Sequence, residues 1–520
     1  MSGIYGVERF TSRREKYQPV DRDVVEEADV CVIGSGAAGA VLAKKFSDAG
    51  RSVVLLEKGG YYEGEDMNQR DEDMIPLLWK NAGAQLNDTL NVAIGQGSCL
   101  GGSTVINDAV CFPIPPITRR QWRELGVEIS DEEWDRATDE VSREIRVTKV
   151  REDELNRNNL MLKRGCEAMG FTVHYSNSRN CVNCMQCGLC HLGCHYETKQ
   201  DMKVTYIHRA LNDPNSRVRV YCNCAAEKVQ HSDGLVEKVQ GEFRDRDGRT
   251  VHRIDVRARL VVIAAGAIAS SEFLLRNSIA PEKAGLGLSL HPVAFVLGDF
   301  PFEIRGNQGI TMAYALHQFG VTNGVEDGGF LIEAIYLPPF QFSLQVSVSG
   351  EKHAEMMRRY NNFTMAFAFP RDHPTGRILL TEGGAVRISY ALDGKGLEDV
   401  ARGIEILSRM WFRLGATRVV TSHWSKPILT REDEVPDLVA AVTNDSKNLL
   451  LVSAHPQGGN RMGNDPDACV VDSNCRVYGF KNLFVCDSSV FPTAVGVNPQ
   501  VTVMSLATIM AERINRFWEE

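Results

Sequence analysis

Five cysteines lie within 14 residues, from Cys181 to Cys194, in a chain that otherwise scatters its thiols. Four of them, Cys184, Cys187, Cys190 and Cys194, follow the spacing C-x2-C-x2-C-x3-C. Bacterial ferredoxins hold iron–sulfur clusters with this spacing, although the proline that follows their last cysteine is missing here. A structural zinc ion is a second interpretation, because four thiolates suit its tetrahedral geometry, and reduced thiols without a metal are a third. We favour the iron–sulfur cluster.

A glycine-rich turn in the segment VIGSGAAGAVLAKKFSDAGRSVVLLEKG carries a second kind of chemistry. Gly34 permits the tight turn, Gly36 lets the backbone approach a pyrophosphate, and Gly39 allows a helix to pack closely on a strand. Glu57, eighteen residues after Gly39, suits the diol of a ribose. The turn therefore predicts a dinucleotide site that, on this motif alone, accepts NAD or FAD. Its candidate contacts are Gly34, Gly36, Ala37, Ala38, Gly39 and Glu57.

A βαβ unit must position this turn. Residues 28–34 are a short apolar run that ends in glycine, which predicts a buried parallel strand. Residues 38–49 have helical spacing, and Ser52–Leu56 predicts the second strand. The free N–H groups and the positive end of the helix dipole then face the bound phosphates.

The hydrophobic pattern changes twice along the rest of the chain. We expect helices over 132–170, an irregular loop over 180–200, and strands at Arg217–Tyr221 and Leu260–Ala265. From 290 to 430, alternating runs indicate an antiparallel sheet, interrupted by a helix, and so a second domain. These runs are Ile332–Leu337, Phe363–Phe369 and Arg377–Leu380, with the helix over 397–414. A strand over Leu483–Cys486 and a helix over 500–517 follow.

Composition excludes some partners. The 520 residues carry a formal net charge of −9, with no long basic run, so a nucleic acid is not expected as a partner. The first 25 residues are polar and charged, unlike a secretory signal, and no apolar run is long enough for a transmembrane segment. We expect a soluble cytoplasmic protein, in which disulfides are disfavoured and clustered thiols favour a metal site.

Four further segments carry a family resemblance. They read GQGSCLGGSTVIN at 95–107, ARLVVIAAGAIASSEFLL at 258–275, SAHPQGGNRMG at 453–463 and VVDSNCRVYGFKNLFVCDSSVFPTAVGVNPQVT at 470–502. With the first turn, they resemble the glucose–methanol–choline (GMC) oxidoreductases in order and spacing over residues 28–515.

The resemblance implies an α/β fold with a discontinuous, Rossmann-like FAD-binding domain and a substrate domain on a mixed or antiparallel sheet. We expect the FAD-binding domain at 26–289, including the cysteine loop at 180–200. The substrate domain is expected at 290–430. Residues 431–520 are expected to return to the FAD domain with the catalytic residues.

The resemblance also implies flavin contacts. Some family members attach FAD covalently through a histidine at the position of Ile106, so noncovalent FAD is expected here. The implied contacts are Gly101, Gly102, Ser103, Asn107, Ala226, Ala265, Gly266, Asp487, Asn498 and Pro499.

His455 and Asn498 match the family's catalytic pair. The resemblance implies oxidation of an alcohol with hydride transfer to flavin, for which the hydroxyl proton needs a base and the oxygen needs a donor. Pro499 restricts Asn498 to an extended conformation. Glu333 resembles the position where cholesterol oxidases carry a basic carboxylate. The alternative is an exposed or ion-paired strand residue.

Two family branches compete. Dehydrogenase members with a three-iron cluster carry such a cysteine loop, so a 3Fe-4S or 4Fe-4S cluster would pass electrons to an acceptor protein. Long-chain alcohol oxidases have a related pattern followed by a lysine, as Lys199 is here, and the run around Glu333 and SLHPVAF resembles theirs. We expect a hydrophobic alcohol. The alternatives to a dehydrogenase are an oxidase that reduces O₂ directly and an electron-transfer flavoprotein subunit.

Overall fold

The computed structural model describes residues 2–8, 14–516 and 518. Its largest sheet is mixed and contains the strand that leads into the glycine-rich turn. The described strands of this sheet lie in the order Cys224–Ser232, Leu235–Arg244, Thr250–Ile263, Val24–Ile33, Val53–Leu56, Val218–Tyr221, Gly3–Gly6 and Tyr17–Pro19, with Leu483–Val485 alongside Thr250–Ile263.

Parallel pairing places the predicted βαβ unit at the centre of this sheet. Val24–Ile33 pairs with Val53–Leu56 on one side and with Thr250–Ile263 on the other. All four residues of Val53–Leu56 are buried, as expected for a parallel strand that is covered on both faces. The helix Gly39–Asp48 follows the turn and buries Val41, Leu42 and Phe46. The predicted α/β fold is confirmed.

A second sheet, antiparallel throughout, forms the other half of the molecule. Every residue of Phe330–Ala334 and Phe363–Pro370 is buried, and the two strands pair antiparallel, as predicted. The helices Arg157–Ala168 and Gly394–Arg413 pack against the sheet, and Phe367 lines a cavity. The described strands lie in the order Ile428–Leu429, Arg418–Thr421, Ala294–Asp299, Phe363–Pro370, Phe330–Ala334, Tyr314–Leu316 and His174–Ser176.

Smaller sheets and the helices complete the described fold. One sheet has the order Val386–Ser389, Gly376–Leu380, Leu286–Ser289 and Gln457–Gly459; Leu451–Ser453 pairs with Val92–Ile94, and Thr148–Lys149 with Ser178–Arg179. The α-helices are Gly39–Asp48, Asp71–Leu78, Pro116–Glu124, Asp131–Glu144, Arg157–Ala168, His208–Asn212, Ala267–Arg276, Pro339–Ser343, Gly350–Arg358, Gly394–Arg413, Val435–Asn444 and Gln500–Arg516.

The observed bounds of three predicted elements can be compared with the predicted ones. The strand predicted over Ile332–Leu337 ends at Ala334, before the pair Pro338–Pro339, which cannot donate to a sheet. The last helix is described to Arg516, and position 517 of its prediction lies outside the described residues. The loop at 180–200 is irregular except for one short turn, Cys190–Leu192, as predicted. Within the described ranges, every helix is too short or too polar to cross a membrane.

Candidate active site

One cavity of about 620 Å³ collects motifs that lie far apart in the sequence. Its wall is formed by the end of the strand Val24–Ile33, the segment after Gly101, and the loop that leads into the helix Gln500–Arg516. Gly39, Gly101 and Glu333 are predicted site residues that do not line it. The predicted residues on its wall are Gly34, Gly36, Ala37, Ala38, Glu57, Gly102, Ser103, Asn107, Ala226, Ala265, Gly266, His455, Asp487, Asn498 and Pro499.

The three glycines of the turn serve three different purposes. Gly34 has φ +99°, a conformation that side chains rarely adopt. A Cβ atom at Gly39 would lie 1.8 Å from the carbonyl oxygen of Gly34, so the helix can pack here only on glycine. A Cβ atom at Gly36 would meet no atom within 4 Å, because this backbone faces the cavity. The opening at Gly36 fits a pyrophosphate, as FAD requires.

Glu57 accepts the hydrogen bonds of a buried network beside the glycine-rich turn. Its carboxylate accepts hydrogen bonds from the Ser35 backbone N–H at 3.0 Å, the Ser35 hydroxyl at 2.5 Å and the Gly59 N–H at 2.8 Å. Gly101 N–H donates to the same hydroxyl at 3.0 Å. Burial raises the pKa of Glu57, whereas the hydrogen bonds oppose this shift. Gly101 thus acts on the cavity through Ser35, a residue that the sequence analysis did not single out.

Asp487 joins two chain segments on the same wall. Its carboxylate accepts hydrogen bonds from the Gly266 N–H at 2.8 Å, the Ser270 hydroxyl at 2.5 Å and the Ser489 N–H at 2.8 Å. Burial raises its pKa despite these bonds. The carboxylate therefore ties the turn at Gly266, which begins the helix Ala267–Arg276, to the C-terminal motif.

His455 lies directly after the strand Leu451–Ser453 and faces the cavity. Its ring stands edge-on to His291, with centroids 5.6 Å apart, and 6.0 Å from the ring of Phe369. Its Nδ1 is buried without a hydrogen-bond partner among the described residues. Burial lowers the pKa of His455 to about 4, so the ring is neutral near pH 7 and can accept a proton.

Asn498 lies at the entrance to the helix Gln500–Arg516 and contacts Glu333. Its Nδ2 donates to Glu333 Oε2 at 3.3 Å, while Asn498 Oδ1 and Glu333 Oε1 have no hydrogen-bond partner in the described part of the chain. Glu333 is fully buried, so its proposed exposure as a strand residue is wrong. Burial, reinforced by the charge of Asp108, raises the pKa of Glu333 to about 8. The carboxyl lies behind Asn498 rather than on the cavity wall.

Two buried side chains that the sequence did not reveal hold this pair in place. His291 Nε2 accepts a hydrogen bond from the Gly496 N–H at 3.1 Å, and Gln457 Oε1 accepts one from the Val495 N–H at 3.0 Å. Both bonds fix the loop that precedes Asn498. The motif SLHPVAF was noticed only as a family resemblance, and the bonds it makes are long-range.

The remaining wall on this side is apolar apart from Gln341, Gln345 and a few polar side chains of the cysteine loop and its neighbours. His191, from that loop, pairs with Asp108. Burial by itself would raise the pKa of Asp108, but the interactions with its neighbours, His191 first among them, outweigh burial and lower that pKa to about 2. Phe340 and Leu344 are half-exposed and therefore stand where the cavity opens. The apolar lining residues are Val110, Val293, Phe295, Met312, Ile335, Leu337, Phe340, Leu344 and Phe367.

The cysteine loop encloses its own small cavity. Cys181, Cys184, Cys187, Cys190 and Cys194 all line this space, which at about 20 Å³ has room for roughly one water molecule. Among the described residues, no three cysteine, histidine or acidic side chains converge as a metal-binding group. The thiols as placed do not fit an iron–sulfur cluster or a zinc ion, so the structure does not support either interpretation.

Comparisons with known proteins point to one family. Models of the GMC oxidoreductase N- and C-terminal domains match residues 28–293 and 372–507. The uncharacterized GMC-type oxidoreductase Rv0492c of Mycobacterium tuberculosis is 28% identical over 95% of this chain and 76% of its own length. The long-chain-alcohol oxidase FAO3 of Arabidopsis thaliana is 27% identical over 94% and 68%.

A solved structure shares the fold. A formate oxidase of Aspergillus oryzae, studied for its FAD, superposes with a TM-score of 0.69 at 14% identity, over 95% of this chain and 99% of that one. At this identity the likeness concerns the fold alone.

Proposed function

Because the chain belongs to the GMC oxidoreductases, which carry out FAD-type oxidation, we propose that it oxidises a hydrophobic alcohol to a carbonyl compound. One observation carries the proposal. His455 and Asn498 line the same cavity as the glycine cradle, and the wall around them is largely apolar. Long-chain-alcohol oxidases among the relatives support an aliphatic substrate.

In this proposal, each group of residues on the cavity wall has a separate role in the oxidation. FAD, held by Gly34–Ala38, Gly266 and Asp487, supplies the hydride acceptor when bound. His455 is neutral and takes the hydroxyl proton on its ring, while the Asn498 amide donates to the substrate oxygen on which charge develops. The apolar wall excludes water, which strengthens both interactions.

Chain length should govern affinity for the substrate. Each methylene that moves from water to the apolar wall contributes about 0.8 kcal/mol, so KM should fall roughly fourfold per added carbon along a series of 1-alkanols until the cavity is filled. Anaerobic bleaching of the flavin absorbance measures this for each alcohol. Choline and glucose are the controls, and equal or faster bleaching by either one would contradict a hydrophobic substrate.

The pH dependence should be bell-shaped. His455 must be neutral, so kcat/KM should rise through about pH 4. Glu333 is protonated below about pH 8, and above it the carboxylate holds the Asn498 amide N–H and places a charge behind it, so kcat/KM should fall. Glu333→Gln should remove this alkaline limb and leave the acid limb in place, as measured by stopped-flow flavin reduction across pH 3–10.

A stability measurement provides the control. The folded pKa of Glu333 lies above the ordinary value, so its stabilising contribution is present below the unfolded pKa and is lost as pH rises through about 8. Glu333→Gln should therefore gain stability over the parent chain at pH 9 relative to pH 6. If the parent instead gains activity through pH 8 and the variant is inactive at every pH, Glu333 is itself the base.

Two destinations for the electrons are proposed. The oxidases among the relatives favour dioxygen, whereas a dehydrogenase would pass electrons to an acceptor protein. Iron and acid-labile sulfide in the purified protein, with slow reoxidation by air, would favour the dehydrogenase. An intact pair of His455 and Asn498 on one cavity argues against a purely electron-transferring subunit.

A further inference from the structure

Lys199 closes the cysteine loop, and its ammonium is buried behind the wall of the large cavity. The residue is 1% exposed, and Nζ donates to three backbone carbonyls. The acceptors are Val105 O and Asn107 O, both at 2.7 Å, and Cys190 O at 3.1 Å. Because Ile106 and Asn107 line the cavity, Lys199 fastens the cysteine loop to the outer side of that wall.

The charge of this ammonium is not neutralised by a direct partner. Lys199 forms no ion pair with a carboxylate in the ranges that the structure describes. Of the two acids nearest along the chain, Glu197 pairs with Lys203 and Asp201 accepts the Val204 N–H. Carbonyl groups satisfy its hydrogen bonds but leave a net charge in a medium of low dielectric. A buried charge of this kind is destabilising unless an opposite charge compensates for it.

A second cation is bound to the same stretch of backbone. Arg179 is 2% exposed, and its Nε donates to Asp108 O at 2.9 Å. The Asp108 carboxylate is paired with His191, and the Arg179 guanidinium also donates to Cys190 Sγ at 3.3 Å. The stretch from Val105 to Asp108 therefore accepts hydrogen bonds from two buried cations, Lys199 and Arg179, at the edge of the cavity.

We propose that this charge is complementary to reduced flavin, and that Lys199, assisted by Arg179, raises the reduction potential of the bound FAD. When the alcohol loses a hydride, oxidised FAD accepts two electrons and one proton and becomes an anion, while the hydroxyl proton goes to His455. The flavin would thus gain one negative charge next to a wall that binds two buried cations. The inference rests on FAD occupying this cavity, as the proposed function requires.

Lys199→Gln tests the charge while keeping N–H donors for the carbonyls. FAD content is measured first, and the midpoint potential of the bound flavin then follows from equilibration with a reference dye at pH 7. The two-electron reduction constant should fall at least tenfold, which corresponds to about 30 mV. Lys199→Arg, which keeps the charge, should restore most of the potential.

A matched control separates charge from burial. Lys203 is as deeply buried as Lys199 but is paired with Glu197, so the double variant Lys203→Gln/Glu197→Gln removes a buried lysine without changing the net charge. Its flavin potential should stay at the parent value. An unchanged potential in Lys199→Gln, or an equal fall in the control, would overturn the proposal.

Loss of FAD from the variant has a defined consequence. If Lys199→Gln does not retain FAD, Arg179→Gln carries the same expectation. Failure of both to hold FAD would make these cations structural residues and overturn the redox role. A parent protein without FAD would instead defeat the proposed function itself, so the two failures are distinguishable.

Discussion

Replacing His455 by alanine should slow flavin reduction by the alcohol by about 10²- to 10⁴-fold, the usual contribution of a positioned general base. The ring lies on the cavity wall, and burial lowers its pKa to about 4, so it is neutral at pH 7 and free to serve as the proposed proton acceptor. Its Nδ1 lacks a hydrogen-bond partner among the described residues, so removal of the ring breaks no described hydrogen bond of that atom. The variant should therefore fold and keep its FAD. Single-turnover stopped-flow reduction under anaerobic conditions measures the loss.

The matched control is His174→Ala. His174 is also a partly buried histidine, bonded to Tyr314 and Phe171, but it does not line the cavity. Its variant should reduce flavin at nearly the parent rate. Addition of imidazole should partly restore the His455→Ala variant, since the deleted ring leaves space for it. Flavin reduction at the parent rate in His455→Ala would remove the residue from the mechanism.

The glycine turn and its βαβ unit could be predicted because their signal is local. Gly34, Gly36 and Gly39 lie within six residues, and the apolar runs on either side are long enough to indicate strands. Parallel strands that are buried on both faces also read as continuous apolar runs, so sequence and burial agree at Val53–Leu56.

Contacts between distant segments could not be predicted in the same way. Asn498 and Glu333 are 165 residues apart, and nothing in either motif indicates that the amide meets the carboxyl. The bond from the Gly496 N–H to His291 spans 205 residues. Such contacts depend on how the two sheets enclose the cavity, which is a property of tertiary packing. The sequence therefore singles out Glu333 and the motif around His291, but not the bonds through which they contact Asn498 and the loop before it.

The cysteine loop shows that a strong local motif can also fail to predict the geometry of a site. Its spacing is a strong local signal for a cluster, yet the five thiols enclose a space of only about 20 Å³. Spacing states which residues a loop can bring together, whereas the volume between them depends on what the loop packs against. Here Lys199 and Arg179 bind the loop to the wall of the large cavity through backbone carbonyls, so the conformation of the loop depends on that wall.

Gly36→Val should abolish FAD binding without unfolding the chain. A Cβ atom at this position meets nothing within 4 Å, so the fold tolerates a side chain, but the added methyl groups would occupy the opening that a pyrophosphate needs. FAD content should fall at least tenfold from one per chain, as measured by absorbance after gel filtration, while circular dichroism stays at the parent spectrum.

Gly394→Val provides the comparison, because its Cβ also meets nothing within 4 Å, yet it begins the helix Gly394–Arg413 away from the cavity. It should keep full FAD content. Gly39→Val should behave differently again, since its Cβ would collide with the Gly34 carbonyl at 1.8 Å and the chain should lose stability as well as cofactor. FAD retained by Gly36→Val would place the pyrophosphate elsewhere. The three glycine variants thus separate space reserved for the cofactor from space required by the fold.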